Sequence, residues 1–232
     1  MHKVKYSILI VLVGCLRAMG QGLEPIAPEP DARYLEDQFY VGLTYNFLMD
    51  LPAEVAQRNL SYGLHGGFIK DIPLNWGRTL GLGIGAGYGI NSYYTNLMAV
   101  RNGPGYDYTL LDRDLRYKRN KIETHVLEVP LQLRWRNSSP EEYKFWRIYA
   151  GMRFDYVFAH RSKFVSSTEK VGFDNRDVRE FQYGFALDFG YNTFNIHIYY
   201  ALRPLFEDGT GTSTGEPINM RPLQIGLIFY IL

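Results

Sequence analysis

The chain has almost no cysteine: Cys15 is the only one in 232 residues. Disulfide frameworks and cysteine-ligated metal sites are therefore excluded. It has little net charge. Twenty-five Lys and Arg face 24 Asp and Glu, a formal balance of +1, so no global basic field invites nucleic acid. It also lacks any internal run of the roughly 18 apolar residues that a membrane helix needs. That absence excludes helical spans but not barrels, because the inward half of a barrel strand dilutes the hydropathy. What the chain does have is aromatics: 19 Tyr and 14 Phe lift Phe, Trp and Tyr together to 16%.

The N-terminus carries Lys3 and Lys5, an apolar stretch over residues 8–16, and then Ala18, Met19 and Gly20. This is the order of a secretory signal peptide. Residues 1–20 are expected to be removed, and Cys15 with them. Leu12-Val13-Gly14-Cys15 also resembles a lipoprotein cleavage box, although the apolar core before it is short. Residues 21–37 are rich in Pro and acidic residues and read as an extended periplasmic linker. Residues 38–232 remain, enough for one small barrel.

Residues 79–91 read TLGLGIGAGYGIN. Gly81, Gly83, Gly85, Gly87 and Gly89 occupy one parity, and Leu80, Leu82, Ile84, Ala86, Tyr88 and Ile90 the other. A period of two is a strand signal. Gly81, Gly83 and Ala86 also fit a loose dinucleotide-binding pattern, but that pattern needs a helix opening at its end. Here the alternation runs on to Ile90 and no helical period follows. A flexible glycine linker is equally poor, since large apolar residues recur too regularly.

Seven more segments alternate in the same way, at about 39–49, 60–70, 122–136, 145–160, 178–192, 195–203 and 221–232. Eight strands is an even number, and most are near the 9–11 residues that cross a bilayer when tilted. The connections alternate too. Those at 71–77, 137–144 and around Thr193 are short, while those at 92–121, 161–177 and 204–220 are long. Outer-membrane barrels have short turns at one rim and long loops at the other. The prediction is all-β: an eight-stranded antiparallel transmembrane barrel of the outer membrane, with both termini periplasmic.

Charge falls on one parity of these strands. The apolar parity carries no Lys, Arg, Asp or Glu in mid-strand, where a basic group facing lipid costs about 2–4 kcal/mol. A soluble sandwich could share this parity with the faces reversed. The signal-peptide pattern, the aromatic excess and the loop alternation favour the membrane barrel. Aromatics near both strand ends, among them Trp76, Trp135, Trp146, Tyr93, Tyr94, Tyr156 and Phe158, are expected to form two interfacial girdles.

An eight-stranded barrel is only wide enough for its own side chains. The expected lumen network is Glu128, Arg134, Arg147, Arg153, Asp155, Glu180, Asp188 and Arg203. The five glycines are the bare wall those side chains reach across to, which makes the lumen closed and filled.

A search for chemistry yields little. His125 and Glu128 lie on opposite faces of one strand. His65 and His197 share the inner parity and read as hydrogen-bonded interior histidines. Asp155, His160 and Ser162 lie near one rim, as polar residues in a loop commonly do. No catalytic residue, metal site, cofactor or small-molecule substrate is expected. The basic run at 113–121, RDLRYKRNK, reads as a solvated outer loop or as a contact with anionic lipopolysaccharide or a protein.

Residues 118–136, KRNKIETHVLEVPLQLRWR, and 138–158, SSPEEYKFWRIYAGMRFDYVF, are the most distinctive blocks. Together with Gly66 to Asn75 (GGFIKDIPLN) and Asn91-Ser92-Tyr93, they resemble the PorT/SprT family of small outer-membrane barrels of Bacteroidota. That resemblance implies an accessory or assembly role in type IX secretion and gliding motility. The implied partners are outer-membrane lipid and the proteins of a secretion machine. The alternatives are a barrel for surface adhesion or shielding, and an outer-membrane lipid-modifying enzyme.

Overall fold

Alternating side chains become strands over most of the chain. The computed structural model describes residues 38–112, 114–137 and 145–231. The expected signal peptide, the Cys15 cleavage box, the linker at 21–37 and most of the 137–144 turn lie outside the described residues. The strands are β1 (Gln38–Met49), β2 (Tyr62–Pro73), β3 (Leu80–Tyr94), β4 (Leu97–Asn102), β5 (Gly105–Leu110), β6 (Tyr117–Arg136), β7 (Trp146–Ser166), β8 (Lys170–Asp174), β9 (Phe181–Tyr191), β10 (Phe194–Ala201) and β11 (Arg221–Ile231).

Eight of them run in the order β6-β3-β2-β1-β11-β10-β9-β7, and β7 pairs back onto β6 to close the sheet. Every neighbouring pair is antiparallel. This is a closed eight-stranded barrel, the expected fold. Closure leaves these strands no free edge in the hydrocarbon, where an unpaired backbone group would cost several kcal/mol. The tight β9–β10 turn holds Asn192 at φ 55°, a left-handed conformation that Asn tolerates better than most residues.

The barrel reverses the arrangement of a soluble protein. Phe39, Val41 and Leu43 on β1, Leu131 and Leu133 on β6, and Phe185 and Leu187 on β9 are exposed on the outside. The alternate residues of the same strands are buried inside. At one rim Trp146 stacks on Phe189 with centroids 5.9 Å apart, and Phe194 meets Phe229 edge-on at 6.3 Å. At the other, Tyr88, His125 and Phe158 cluster with ring centroids 6.0–6.2 Å apart. Tyr93 does not join this belt. It stands on the inward parity of β3 and is 2% exposed.

The long connections are not plain loops. The 92–121 connection contains the β4–β5 hairpin and the start of β6. The 161–177 connection contains the end of β7 and β8, which pairs only with β7. β6 and β7 are 20 and 21 residues long, about twice what a bilayer crossing needs. Where they leave the belt the register shifts between His125 and Val126, the mark of a β-bulge.

These outer segments cap the barrel. Leu97, Ala99 and Tyr108 of the hairpin pack with Val178, Leu205, Phe206, Ile218 and Met220 from the connections. Leu48, Tyr93, Ile122, Val126 and Val157 of the barrel strands complete this cluster. The principal apolar core thus closes one mouth, while most of the lumen below it is polar.

Candidate functional site

The lumen is built by the inward parity of each strand. β3 contributes glycines, so its neighbours and the strands opposite can lean in. A Cβ at Gly83 would stand 2.6 Å from Arg134 Cδ, and one at Gly89 would stand 2.5 Å from Glu128 Oε1. A Cβ at Gly81 would strike the Asp71 carboxylate, one at Gly87 the Tyr40 hydroxyl, and one at Gly85 the Phe68 carbonyl oxygen. At four of the five rungs, the space withheld from β3 holds a polar side chain from another strand.

Two charged layers fill that space. In the layer nearer the cap, Arg153 of β7 donates to Asp155 at 3.1–3.2 Å and to Gln224 of β11 at 2.9 Å. Its Nη1 lies 3.7 Å from Glu128, and its guanidinium sits 3.6 Å from the Tyr199 ring centroid. Glu128 also meets His65 Nδ1 at 2.6 Å and accepts from Tyr40 at 3.1 Å. A polar circuit continues round the wall. Gln224 and Asn46 both donate to Asn91 at 3.0 Å, Thr44 donates to Asn46 at 2.8 Å, and Thr44 lies 3.3 Å from His65 Nε2.

The second layer lies towards the other rim. Asp188 is fully buried. It meets His197 Nδ1 at 2.5 Å and accepts from Tyr230 at 2.5 Å and from Gln132 at 2.9 Å. Arg134 donates to Gln38 at 2.7 Å, lies 3.4 Å from Asp71 and stacks 3.9 Å from the Tyr149 ring centroid. Arg136 donates to Asp71 at 2.8 Å. Charges taken out of water are tolerable when paired and hydrogen-bonded in this way. Between the layers Tyr40, His65, Glu128, Gln132, Arg153 and His197 line a cavity of about 20 Å³, room for roughly one water molecule.

Glu128, Arg134, Arg153, Asp155 and Asp188 therefore meet inside the barrel. Arg147 also faces inward, packed 4.6 Å from the Phe145 ring centroid, but has no ion pair among the described residues. Two expected members do not belong. Glu180 is exposed, because the chain bends just before β9 and the parity of that strand starts only at Phe181. Arg203 lies past the end of β10, half-buried, where the alternation has stopped.

Parity also brings residues outside the expected network into the lumen. Asp71 continues the inward series Gly63, His65, Gly67 and Ile69, one residue past the 60–70 alternation. Tyr40 and Tyr230 carry polar ends to the carboxylates from strands read only for their apolar face. His65 and His197, with ring centroids 6.4 Å apart, each hold a carboxylate of their own. Asp155, His160 and Ser162 do not converge: Asp155 holds Arg153, His160 lies 3.0 Å from Asp174, and Asn175 donates to Ser162 at 2.9 Å. His125 points outward to the Tyr88 hydroxyl at 2.6 Å, away from Glu128. No group of three or more potential metal ligands occurs among the described residues.

The cap is held by its own polar contacts. Asn120 donates to the carbonyls of Thr95 at 2.9 Å and Leu97 at 2.8 Å. Arg179 donates to the Phe206 carbonyl at 3.1–3.2 Å and pairs with Glu207 at 2.9 Å and Asp208 at 2.7 Å. The Tyr108 hydroxyl donates to Asn175 and Asp177, both at 3.0 Å. Burial holds its pKa well above the usual tyrosine value, so it stays a donor.

Lipid-facing apolar strands, a girdle at each rim and a filled polar lumen define an integral outer-membrane barrel with no open channel. Residues 20–207 match the model of the outer membrane protein beta-barrel domain family, and the chain belongs to that family. Among solved structures it is similar to Ail, the attachment invasion locus protein of Yersinia pestis, with 12% identity and a TM-score of 0.34 over 83% of this chain and 97% of that one. The same protein in complex with the heparin analogue sucrose octasulfate aligns at 11% identity and a TM-score of 0.32, again over 83% and 97% of the two chains. No curated protein sequence matches this chain.

Proposed function

We propose that the protein is a non-enzymatic scaffold of the outer membrane, an accessory or assembly component of type IX secretion. The observation that carries the scaffold reading is the lumen, filled by the Glu128–Arg153–Asp155 and Asp71–Arg134–Asp188 layers and sealed at one mouth by apolar packing. A barrel built this way offers surfaces, not passage. The secretion assignment, and with it Bacteroidota, rests on the sequence blocks at 118–136 and 138–158 and their resemblance to the PorT/SprT family. A capped end outside the cell, with both termini in the periplasm, is supported by the rim where Phe39 and Ile231 pair, which also carries the short β2–β3 and β9–β10 turns. Protein partners would then meet the cap from outside, or the short turns and the segment before β1 from the periplasm.

Deleting the gene tests the assignment. Loss of secreted cargo with periplasmic accumulation is the expected result. Normal export with altered surface binding would replace it with an adhesion or shielding role, and altered lipid A structure with an enzymatic one. Protease access to tags at the C-terminus and in the β4–β5 turn reads the orientation separately.

A further inference from the structure

The basic run at 113–121 has a definite place from Asp114 onward. Beyond the Tyr88–His125–Phe158 belt, β6, β7 and β8 continue as a three-stranded sheet. Its inner face buries Asn120, Ile122, Ser162 and Phe164. Its outer face continues the lipid-facing side and carries three cross-strand rows: Glu123, Arg161 and Asp174; Lys121, Lys163 and Gly172; Arg119, Val165 and Lys170. At about 3.3 Å per residue, the first row stands roughly 7 Å beyond His125. That is the depth of lipid headgroups, not of bulk solvent.

On this face Arg119, Arg161 and Lys170 are exposed and Lys163 is half-buried, beside the carboxylates Glu123 and Asp174, while Lys121 is buried. Glu123 pairs with Lys121, whose Nζ also meets Ser92 at 3.2 Å. Asp174 is engaged by His160 at 3.0 Å. Arg119, Arg161, Lys163 and Lys170 are left without an ion pair among the described residues. Lys121 lies directly across from Lys163, with Glu123 as the counter-ion of Lys121. Gly172 puts no side chain beside Lys163, so Arg161, Lys163 and Lys170 line an open cleft of about 340 Å³.

We propose that this face binds the phosphate groups of lipid A in the surrounding outer leaflet. The aromatic belt sets the depth, the bulge turns Arg161 and Lys163 outward, and Gly172 leaves room for the headgroup between the basic side chains. The assignment rests on the outward placement of the capped end proposed above. It does not depend on the role in secretion.

The test uses the full-length barrel in nanodiscs. Native mass spectrometry counts retained lipid with phosphorylated lipid A, with dephosphorylated lipid A, and with inorganic phosphate at matched ionic strength. The triple variant Arg161→Gln, Lys163→Gln, Lys170→Gln is compared with a control triple, Arg58→Gln, Arg101→Gln, Arg176→Gln, at exposed positions elsewhere. Heat-modifiable gel migration verifies that each variant is folded. A basic side chain near an anionic lipid surface is worth about fivefold in binding. The expected result is retention of phosphorylated lipid A by wild type and control, and a loss of about tenfold or more in the triple variant. Equal retention by the triple variant overturns the proposal, as does wild-type retention that ignores the phosphates. Binding of inorganic phosphate as tight as that of the lipid overturns the lipid assignment. If tag accessibility places the cap in the periplasm, the proposal falls with the orientation while the export assay still stands.

Discussion

Glu128 shows how much depends on single residues in a lumen this narrow. Its carboxylate is shared by His65, Tyr40 and Arg153. Glu128→Ala is expected to cost about 1–3 kcal/mol, because His65 and Tyr40 lose the buried acceptor they share, while Arg153 keeps Asp155 and Gln224. The drop in urea midpoint of the detergent-folded barrel measures it. Gly83→Leu acts from the opposite wall. Its side chain must enter space held by Arg134 and Ile69, and overpacking of this kind costs about 1–3 kcal/mol. Less heat-modified, folded species on a gel is the expected readout. Unchanged folding and heat stability would mean that the wall is not crowded.

Among the elements, the β4–β5 hairpin is pinned to β6 by the Asn120 side chain. Asn120→Ala removes two donations to the carbonyls of Thr95 and Leu97 and leaves buried acceptors unsatisfied, at about 1–3 kcal/mol. Amide exchange over residues 97–110 is expected to speed up, while the membrane strands stay protected. Uniform loss of protection would show instead that the cap and the barrel fold as one unit. The same elements mark where sequence was legible. All eight membrane strands declare themselves, because lipid outside and crowding inside impose opposite demands on alternate residues. β4, β5 and β8 answer to neither demand. Leu97, Ala99, Tyr108, Leu205, Phe206, Ile218 and Met220 stand in stretches read as loops, although their apolar character was a usable hint. So was the turn around Gly103, where φ reaches 58°. Parity fails just outside the strands, which is why Glu180 and Arg203 are not lumen residues, whereas Asp71 obeys it because β2 runs on to Pro73, past the 60–70 alternation.

The whole molecule is expected not to conduct. With two charged layers across the lumen and the apolar cap over one mouth, planar-bilayer recordings should show no stable single-channel steps. Steps that persist in the purified, folded protein would contradict a sealed interior. The partners inside this barrel are far apart in sequence: Tyr40 and Glu128 by 88 residues, Gln38 and Arg134 by 96, Asn91 and Gln224 by 133. None of these contacts can form in a single hairpin. A sheet that reached the hydrocarbon before shutting would present Arg134, Arg153 and Glu128 to lipid, at several kcal/mol each. The inward faces of β1, β3 and β11 bring no charge of their own to that step. The lumen network is therefore complete only when the first and last strands, β1 and β11, have met.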